Sequence, residues 1–348
     1  MLQQIATTGR ILYTACLLLL LNGITHNANA ADIVFVVDDD IAITDTLSKP
    51  TNTNTILKDW PLQGKYRDLF QGFASTLDEL GAEDIHLSVK TITQFKTYAA
   101  QRKPAALPTL IVTVGTEVTK EIAAMKHSMP TLGVLVPQVS FEAMLRNASK
   151  AAASHSKLAV IYLDQPLARH LNLIHLILPR SRRVGVMFGP STIQYEAEFR
   201  NIAQANNFDL RVGKASSEGN LIAALDQLLD QSDAFLGIVD PLVFNRNSAQ
   251  NVLLTAYRHR VPVIGISPAY VRAGAIASVY STPTHLGRQL AETVYRFVRS
   301  GAKELPATQY PRYFSVAVNY QVADSLGIQL DDEDKLEHHL AGFEEAHQ

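Results

Sequence analysis

The chain has 348 residues, 47% of them hydrophobic, and its 31 Lys and Arg nearly balance 33 Asp and Glu for a net charge of −2. That balance, with no basic run, argues against nucleic acid as a partner. The single cysteine, Cys16, rules out a disulfide framework and a cysteine-ligated zinc, and no cofactor is expected, because neither G-x-G-x-x-G nor a P-loop occurs.

Residues 1–30 read as an export signal. Arg10 supplies the positive charge, residues 11–21 form an apolar run, and Ala28-Asn29-Ala30 has the small-x-small pattern of a cleavage site. The run is short of the ~20 apolar residues that a membrane span needs. Cys16 lies inside it, so the mature chain is expected to lack cysteine and to reside in the periplasm.

The mature sequence then alternates β-branched runs with amphipathic stretches, the pattern of parallel sheets with crossover helices. Strands are predicted at 33–37, 85–90, 109–114, 131–136 and 158–163. Helices are predicted at 65–80, with Leu69, Phe73 and Leu77 on one face and Gly81 past its end, and at 117–125 and 141–153. The pattern restarts with helix 165–178 and strand 183–188. Helix 195–206, strand 209–214, helix 221–229, strand 234–239, helix 248–259 and strands 261–266 and 275–280 follow. Helix 286–298, strand 314–318 and helix 322–326 are too few for a third domain and are expected to cross back and complete the two sets. The fold class is therefore α/β, two Rossmann-like lobes with a multi-strand hinge and an interlobe cleft. The expected division is 31–163 with 283–311, then 164–282 with 312–330. Ligand sites of such sheets lie at the carboxyl ends of the strands. Two stretches break the rhythm: a polar loop at 38–64 containing Trp60, and an acidic tail at 331–348 with His338, His339 and His347. The tail reads as a solvated or frayed helix, with metal binding as its alternative.

Several segments stand in a suggestive order: Ile177-Leu178-Pro179, Arg183-Val184-Gly185-Val186, Gly189-Pro190-Ser191, Asp240-Pro241, Val261-Pro262-Val263-Ile264-Gly265, His285-Leu286-Gly287-Arg288-Gln289 and Ala323-Asp324-Ser325-Leu326-Gly327-Ile328. The series resembles the ABC-transporter substrate-binding proteins, whose better-known members bind tryptophan and related amino acids. The resemblance spans roughly 65–330 and implies the type I periplasmic binding fold, closing on a small polar, amino-acid-like solute. It implies an ABC permease as partner, or a membrane sensor in a signalling variant, and a monomer. The loop at 38–64 departs from the family pattern.

Candidate ligand contacts follow from strand ends. Gly115 and Thr116 stand where a strand meets a helix, which favours an anion; Thr116 serves equally as a cap. In the resembling family this corner receives the ligand carboxylate. Ser191 and Thr192 form the equivalent corner of the second lobe, again as site or cap. Asp240 is placed to meet an ammonium or to form the turn before Pro241; the resemblance favours a ligand contact. Gln138, Ser267 and Tyr270 follow other strands, and Phe244 is a second candidate wall. Asp38, with Asp39 and Asp40, suits a cationic group, a hard metal or a solvated loop; a receiver-domain reading fails for want of an acceptor Asp at Gly115. Residues 265–269 brush the nucleophile-elbow pattern but lack its final Gly and a helix straight after Ser267. A binding protein is therefore expected, not an enzyme, with an exported hydrolase as the remote alternative.

Overall fold

Runs of β-branched and aromatic residues with no polar alternation form strands only where both faces are covered. Those of this chain are buried almost completely: Ile33, Phe35, Val36 and Val37 are each 0% exposed. The structure, a computed structural model, describes residues 30–41, 66–102, 107–125, 127–147, 157–245, 247–302 and 304–345. The expected export signal with Cys16, most of the 38–64 loop with Trp60, and His347 lie outside the described residues.

The first sheet is built from β1 (Ala31–Val37), β2 (Ile85–Thr91), β3 (Leu110–Val114), β4 (Thr131–Val136) and β5 (Leu158–Tyr162), joined by helices α1 (Arg67–Glu79), α2 (Ile92–Gln101), α3 (Thr116–Ala124) and α4 (Gln138–Asn147). Its order is β2-β1-β3-β4-β5 and every pair is parallel. Ile33 lies opposite both Leu87 and Leu110, so one residue sits at the centre of three strands. Leu69, Phe73 and Leu77 do face this core from α1, and Gly81 follows with φ +63°.

The second sheet contains β6 (Arg183–Phe188), β7 (Asp209–Lys214), β8 (Ala234–Leu236), β9 (Val263–Gly265), β10 (Ala277–Tyr280) and β11 (Ser315–Val318). Between them run α5 (Leu167–Ile177), ahead of β6, and α6 (Glu196–Ala205), α7 (Glu218–Leu229), α8 (Ala249–Arg258), α9 (Pro268–Ala273) and α10 (Pro283–Arg299). Its order is β11-β10-β9-β8-β6-β7, parallel except where β11 meets β10. Both sheets thus reverse direction beside their first strand, at β1/β3 and at β6/β8.

The late segments divide between the sheets. Helix α10 returns to the first core through Leu286, Leu290, Val294 and Phe297. It meets α1 so closely that a Cβ at Gly287 would lie 2.0 Å from the Leu69 carbonyl oxygen, and one at Gly72 2.4 Å from that of Thr284. Strand β11, α11 (Tyr320–Leu326) and α12 (Glu333–Glu345) belong to the second body.

Three connections pass between the bodies, at residues 163–166, 281–282 and 310–314, and side chains lace them together. Gln165 Nε2 donates to Ser281 Oγ (2.9 Å), Ser281 Oγ donates to the Tyr313 carbonyl, and Arg169 donates to Gln165 Oε1 and to the Pro311 carbonyl (2.9 Å). Gln309 also pairs along the edge of β5. This is a three-segment hinge.

Two differences from the sequence reading have clear causes. Helix α2 is missed because β2 runs into it without a turn residue; Thr91 ends the strand and caps the helix in a reciprocal box with Gln94. The tail is not a solvated helix. Leu336 and Leu340 are 2% and 0% exposed in the second core, and Glu337 and Glu333 accept from the Val316 and Val318 N–H groups of β11 (2.7 and 2.9 Å). Its carboxylates thereby blunt a sheet edge that would otherwise offer free donors. Glu344 pairs with both arms of Arg169, which is 4% exposed and stacks over Phe314.

Candidate functional site

A cavity of about 520 Å³ opens where the hinge meets the carboxyl ends of β6, β8, β9 and β10. That is the switch point of the second sheet, the place where open α/β sheets bind ligands, and the volume falls within the ~300–1,000 Å³ of small-molecule pockets. Leu236 to Val239 and Ile266 to Pro268 come from the second sheet, Tyr195, Glu198 and Phe199 from the segment after β6, and Gln138 and Val139 from α4 of the first body. Asp164, Gln165, His170, Ser281 and Tyr310 line it from the hinge side. Apolar and aromatic walls dominate.

A chain of hydrogen bonds spans the cavity mouth. Tyr310 Oη donates to Gln138 Oε1 (2.7 Å) and Gln138 Nε2 to Glu142 Oε1 (2.8 Å). Tyr195 Oη donates to Glu142 Oε2 (2.7 Å). Because Tyr195 follows β6 and Glu142 belongs to α4, the last bond joins the two lobes directly. The Gln138 N–H donates to Asp164 Oδ2 at 2.6 Å, so Asp164 caps the start of α4 from the first hinge segment.

The apolar walls set the protonation states. Burial raises the Asp164 carboxyl above its ordinary value, against the pull of the Gln138 N–H. Burial holds His170 near pKa 4, so this imidazole is neutral at neutral pH. Burial and the neighbouring Glu142 and Asp164 charges push Tyr162 up to about 12, and Tyr195 and Tyr310 are also raised, in each case chiefly by burial. These phenols act as neutral donors.

Of the residues singled out in the sequence, Gln138, Thr192 and Ser267 line the cavity. Asp38, Gly115 and Thr116 do not. They cluster at the β1/β3 switch point of the first lobe, where Asp38 accepts from Tyr66 Oη (2.7 Å) and that oxygen lies 4.0 Å from a Cβ placed on Gly115. Asp39 is taken up by α2, accepting from the N–H and Oγ1 of Thr93 (3.0 and 2.8 Å). Ser191 is exposed and outside the cavity.

Asp240 corrects an expectation. It is 1% exposed and accepts from Thr192 Oγ1 (2.7 Å) and from the N–H groups of Gly189 (3.2 Å), Leu242 (2.8 Å) and Val243 (3.1 Å). Four internal donors leave it as a staple between the turns after β6 and β8, not an open partner for an ammonium. A Cβ on Gly189 would sit 2.4 Å from its Oδ1, so that glycine is part of the same fitting. Tyr270 is turned away as well, packed edge-on against Phe244 (5.2 Å) in a core cluster that also buries Phe244. Both are core residues rather than walls. Ser267 has the helix α9 directly after it, contrary to the sequence reading, but its Oγ meets no base among the described residues.

The sequence reading missed Asp164, His170, Tyr195, Glu198 and Tyr310. Only the clustering of Asp164 and Gln165 just after a strand gave any signal. Among the described residues no group of three or more His, Cys, Asp or Glu is placed to hold a metal ion, and no helix is long and apolar enough to cross a membrane.

Solved structures share this architecture. A conserved domain protein from Vibrio cholerae aligns at 17% identity over 87% of this chain and 96% of its own (TM-score 0.52). A Streptococcus pneumoniae ABC domain in complex with L-Trp aligns at 14% over 87% and 96% (TM-score 0.51). The ligand-free, open form of a Clostridium difficile substrate-binding protein with adhesive properties aligns at 14% over 87% and 96% (TM-score 0.62). These identities carry the fold alone, the type I periplasmic binding architecture. No curated protein sequence matches the chain. Residues 64–337, which hold both sheets but β1 and all three hinge segments, match the ABC transporter substrate binding protein family, and the chain belongs to that family.

Proposed function

We propose that this chain is the periplasmic solute-binding component of an ABC import system, closing its two lobes over one small molecule and presenting the closed form to a membrane permease. The observation that supports the reading most directly is the cavity at the second sheet's switch point, roofed by α4 of the other lobe through the Tyr195–Glu142 bond. A ligand there touches both lobes and the hinge, so it binds the closed arrangement better than the open one. That differential contact is what shifts the equilibrium. Gln138, Thr192, Ser267, Asp164, Tyr195 and Tyr310 are the contacts proposed. The L-Trp held by the Streptococcus pneumoniae domain fits the scale of the cavity, and the apolar walls favour a solute with an apolar body over a polyhydroxylated one.

Thermal unfolding of the purified protein against a library of amines, amino acids, sugars and nucleosides tests the reading. A solute bound at a hundred times its Kd stabilises the native state by ~2.7 kcal/mol. At least one is expected to raise the midpoint, to contract the particle in solution scattering, and to be required for stimulating the ATPase of the reconstituted transporter. A library in which no compound shifts the midpoint sinks the solute-binding reading. Binding without any effect on the transporter leaves binding intact and removes import.

A further inference from the structure

We propose that the cavity takes an organic cation, an ammonium group carried on an apolar body, with Asp164 and Glu198 as its counter-charges and Tyr195, Tyr280 and Tyr310 as its walls. The inference rests on the solute-binding reading and adds the ligand's charge class.

The lining is asymmetric in charge. Asp164 and Glu198 both face the cavity, and no Lys or Arg is among its described lining residues. His170, the remaining titratable nitrogen on the wall, is neutral at neutral pH. Asp164 uses Oδ2 for the Gln138 N–H, while Oδ1 accepts from no other residue among those described. A half-buried carboxylate is a strong acceptor for an N–H⁺ donor, and the burial and the neighbouring Glu142 charge that raise this carboxyl are both opposed by a cation bound beside it. Aromatic rings complete the setting. Tyr195, Phe199, Tyr280 and Tyr310 line one space, and aromatic rings attract a cation through their quadrupole.

The same inventory is poor for an anion. Helix α4 has spent its first N–H on Asp164. Helix α9 is one short turn that opens on Pro268, which has no N–H. That leaves uncharged donors, the amides of Val139, Leu167 and Ala168 and the Ser267 and Ser281 hydroxyls. A ligand carboxylate would therefore enter a space already holding two carboxyl groups and no Lys or Arg among its described lining residues. The cavity discriminates against the acidic half of an amino acid.

Isothermal titration calorimetry at pH 7.5 with five probes tests this: tryptamine, phenyltrimethylammonium, L-tryptophan, indole-3-propionate and D-ribose. Tryptamine and phenyltrimethylammonium are expected to bind, with tryptamine tighter than L-tryptophan, and the other two not to bind. Asp164→Asn keeps an oxygen for the Gln138 N–H and is expected to weaken tryptamine by roughly tenfold or more. Glu198→Gln, on an exposed helix position that should not trouble folding, is expected to weaken it in the same direction. L-tryptophan binding as tightly as tryptamine, indole-3-propionate binding, or both variants leaving tryptamine affinity unchanged overturns the proposal. Binding of D-ribose or another uncharged or acidic library solute in place of the cations also overturns it and leaves the solute-binding reading standing. Silence across the whole library removes both.

Discussion

Replacing Tyr195 with Phe removes the Tyr195–Glu142 hydrogen bond, which joins the lobes across the cavity mouth. Tyr195 Oη lies 2.7 Å from Glu142 Oε2, and a hydrogen bond to a charged acceptor contributes ~1.5–3 kcal/mol. Glu142 keeps Gln138 Nε2 at 2.8 Å and the Arg146 guanidinium at 3.7 Å, so the carboxylate is not left bare and the lower figure applies. A loss of about 1.5 kcal/mol from the joined state alone shifts the joined-to-separated ratio roughly tenfold. Spin labels at Leu145→Cys and Leu254→Cys, both exposed positions on α4 and α8, read the interlobe distance by pulsed electron resonance. The Phe variant should show a larger fraction of long distances. Glu142→Gln should do the same, and the double variant should add little to either, with a coupling of about 1 kcal/mol. An unchanged distance distribution in Tyr195→Phe, or full additivity in the cycle, refutes the idea that this bond holds the lobes together.

Other perturbations reach different parts of the molecule. Gly287→Ala drives a methyl into the Leu69 carbonyl, which is backbone and cannot swing aside, and should cost ~1–3 kcal/mol in urea unfolding; a variant as stable as the parent would mean that the α1–α10 contact is looser than described. Glu344→Gln leaves the guanidinium of Arg169 facing a neutral amide at the hinge, and should cost ~1.5–3 kcal/mol with no change in net fold by circular dichroism. Asp233 carries a pH signature: burial opposes its ionisation, but the Arg183 guanidinium and the N–H groups of Arg182 and Arg183 outweigh it and hold the carboxyl at about 2. A carboxyl depressed in the folded state stabilises above its unfolded pKa, ~3.9, and loses that contribution as pH falls toward 2, about 2 kcal/mol in all. The stability gap between the parent and Asp233→Asn should therefore be full at pH 6 and shrink below pH 4; a gap independent of pH would show that Asp233 acts through shape alone.

The alternation of buried β-branched runs with amphipathic helices was open to reading because burial on both faces leaves no room for polar residues in a central strand. Ile33 through Val37 and Leu110 through Val114 carry that signature plainly. Helix α2 was not readable, since Thr91 serves as the last residue of a strand and the cap of a helix at once. The strand expected over 234–239 stops at Leu236 because residues 237–239 leave the ladder to line the cavity. The tail was misjudged for a related reason. Its charge run looks solvated in one dimension, yet two leucines four apart, Leu336 and Leu340, meet a core, and Glu333 and Glu337 meet strand β11.

What the order of residues determined by itself was the local chemistry: which segments must be covered, where chains turn, and that two βα series follow one another. Which polar groups stay open to a ligand was decided only in three dimensions. Asp240 and Asp164 both follow a strand, and nothing nearby in the chain distinguishes them. Asp240 is saturated by donors from two separate turns, whereas Asp164 lines a space walled by Tyr195 and Tyr310, residues from distant parts of the chain. Hydrogen-bond saturation is a property of the neighbours that folding supplies, and a sequence records only the residue that waits for them.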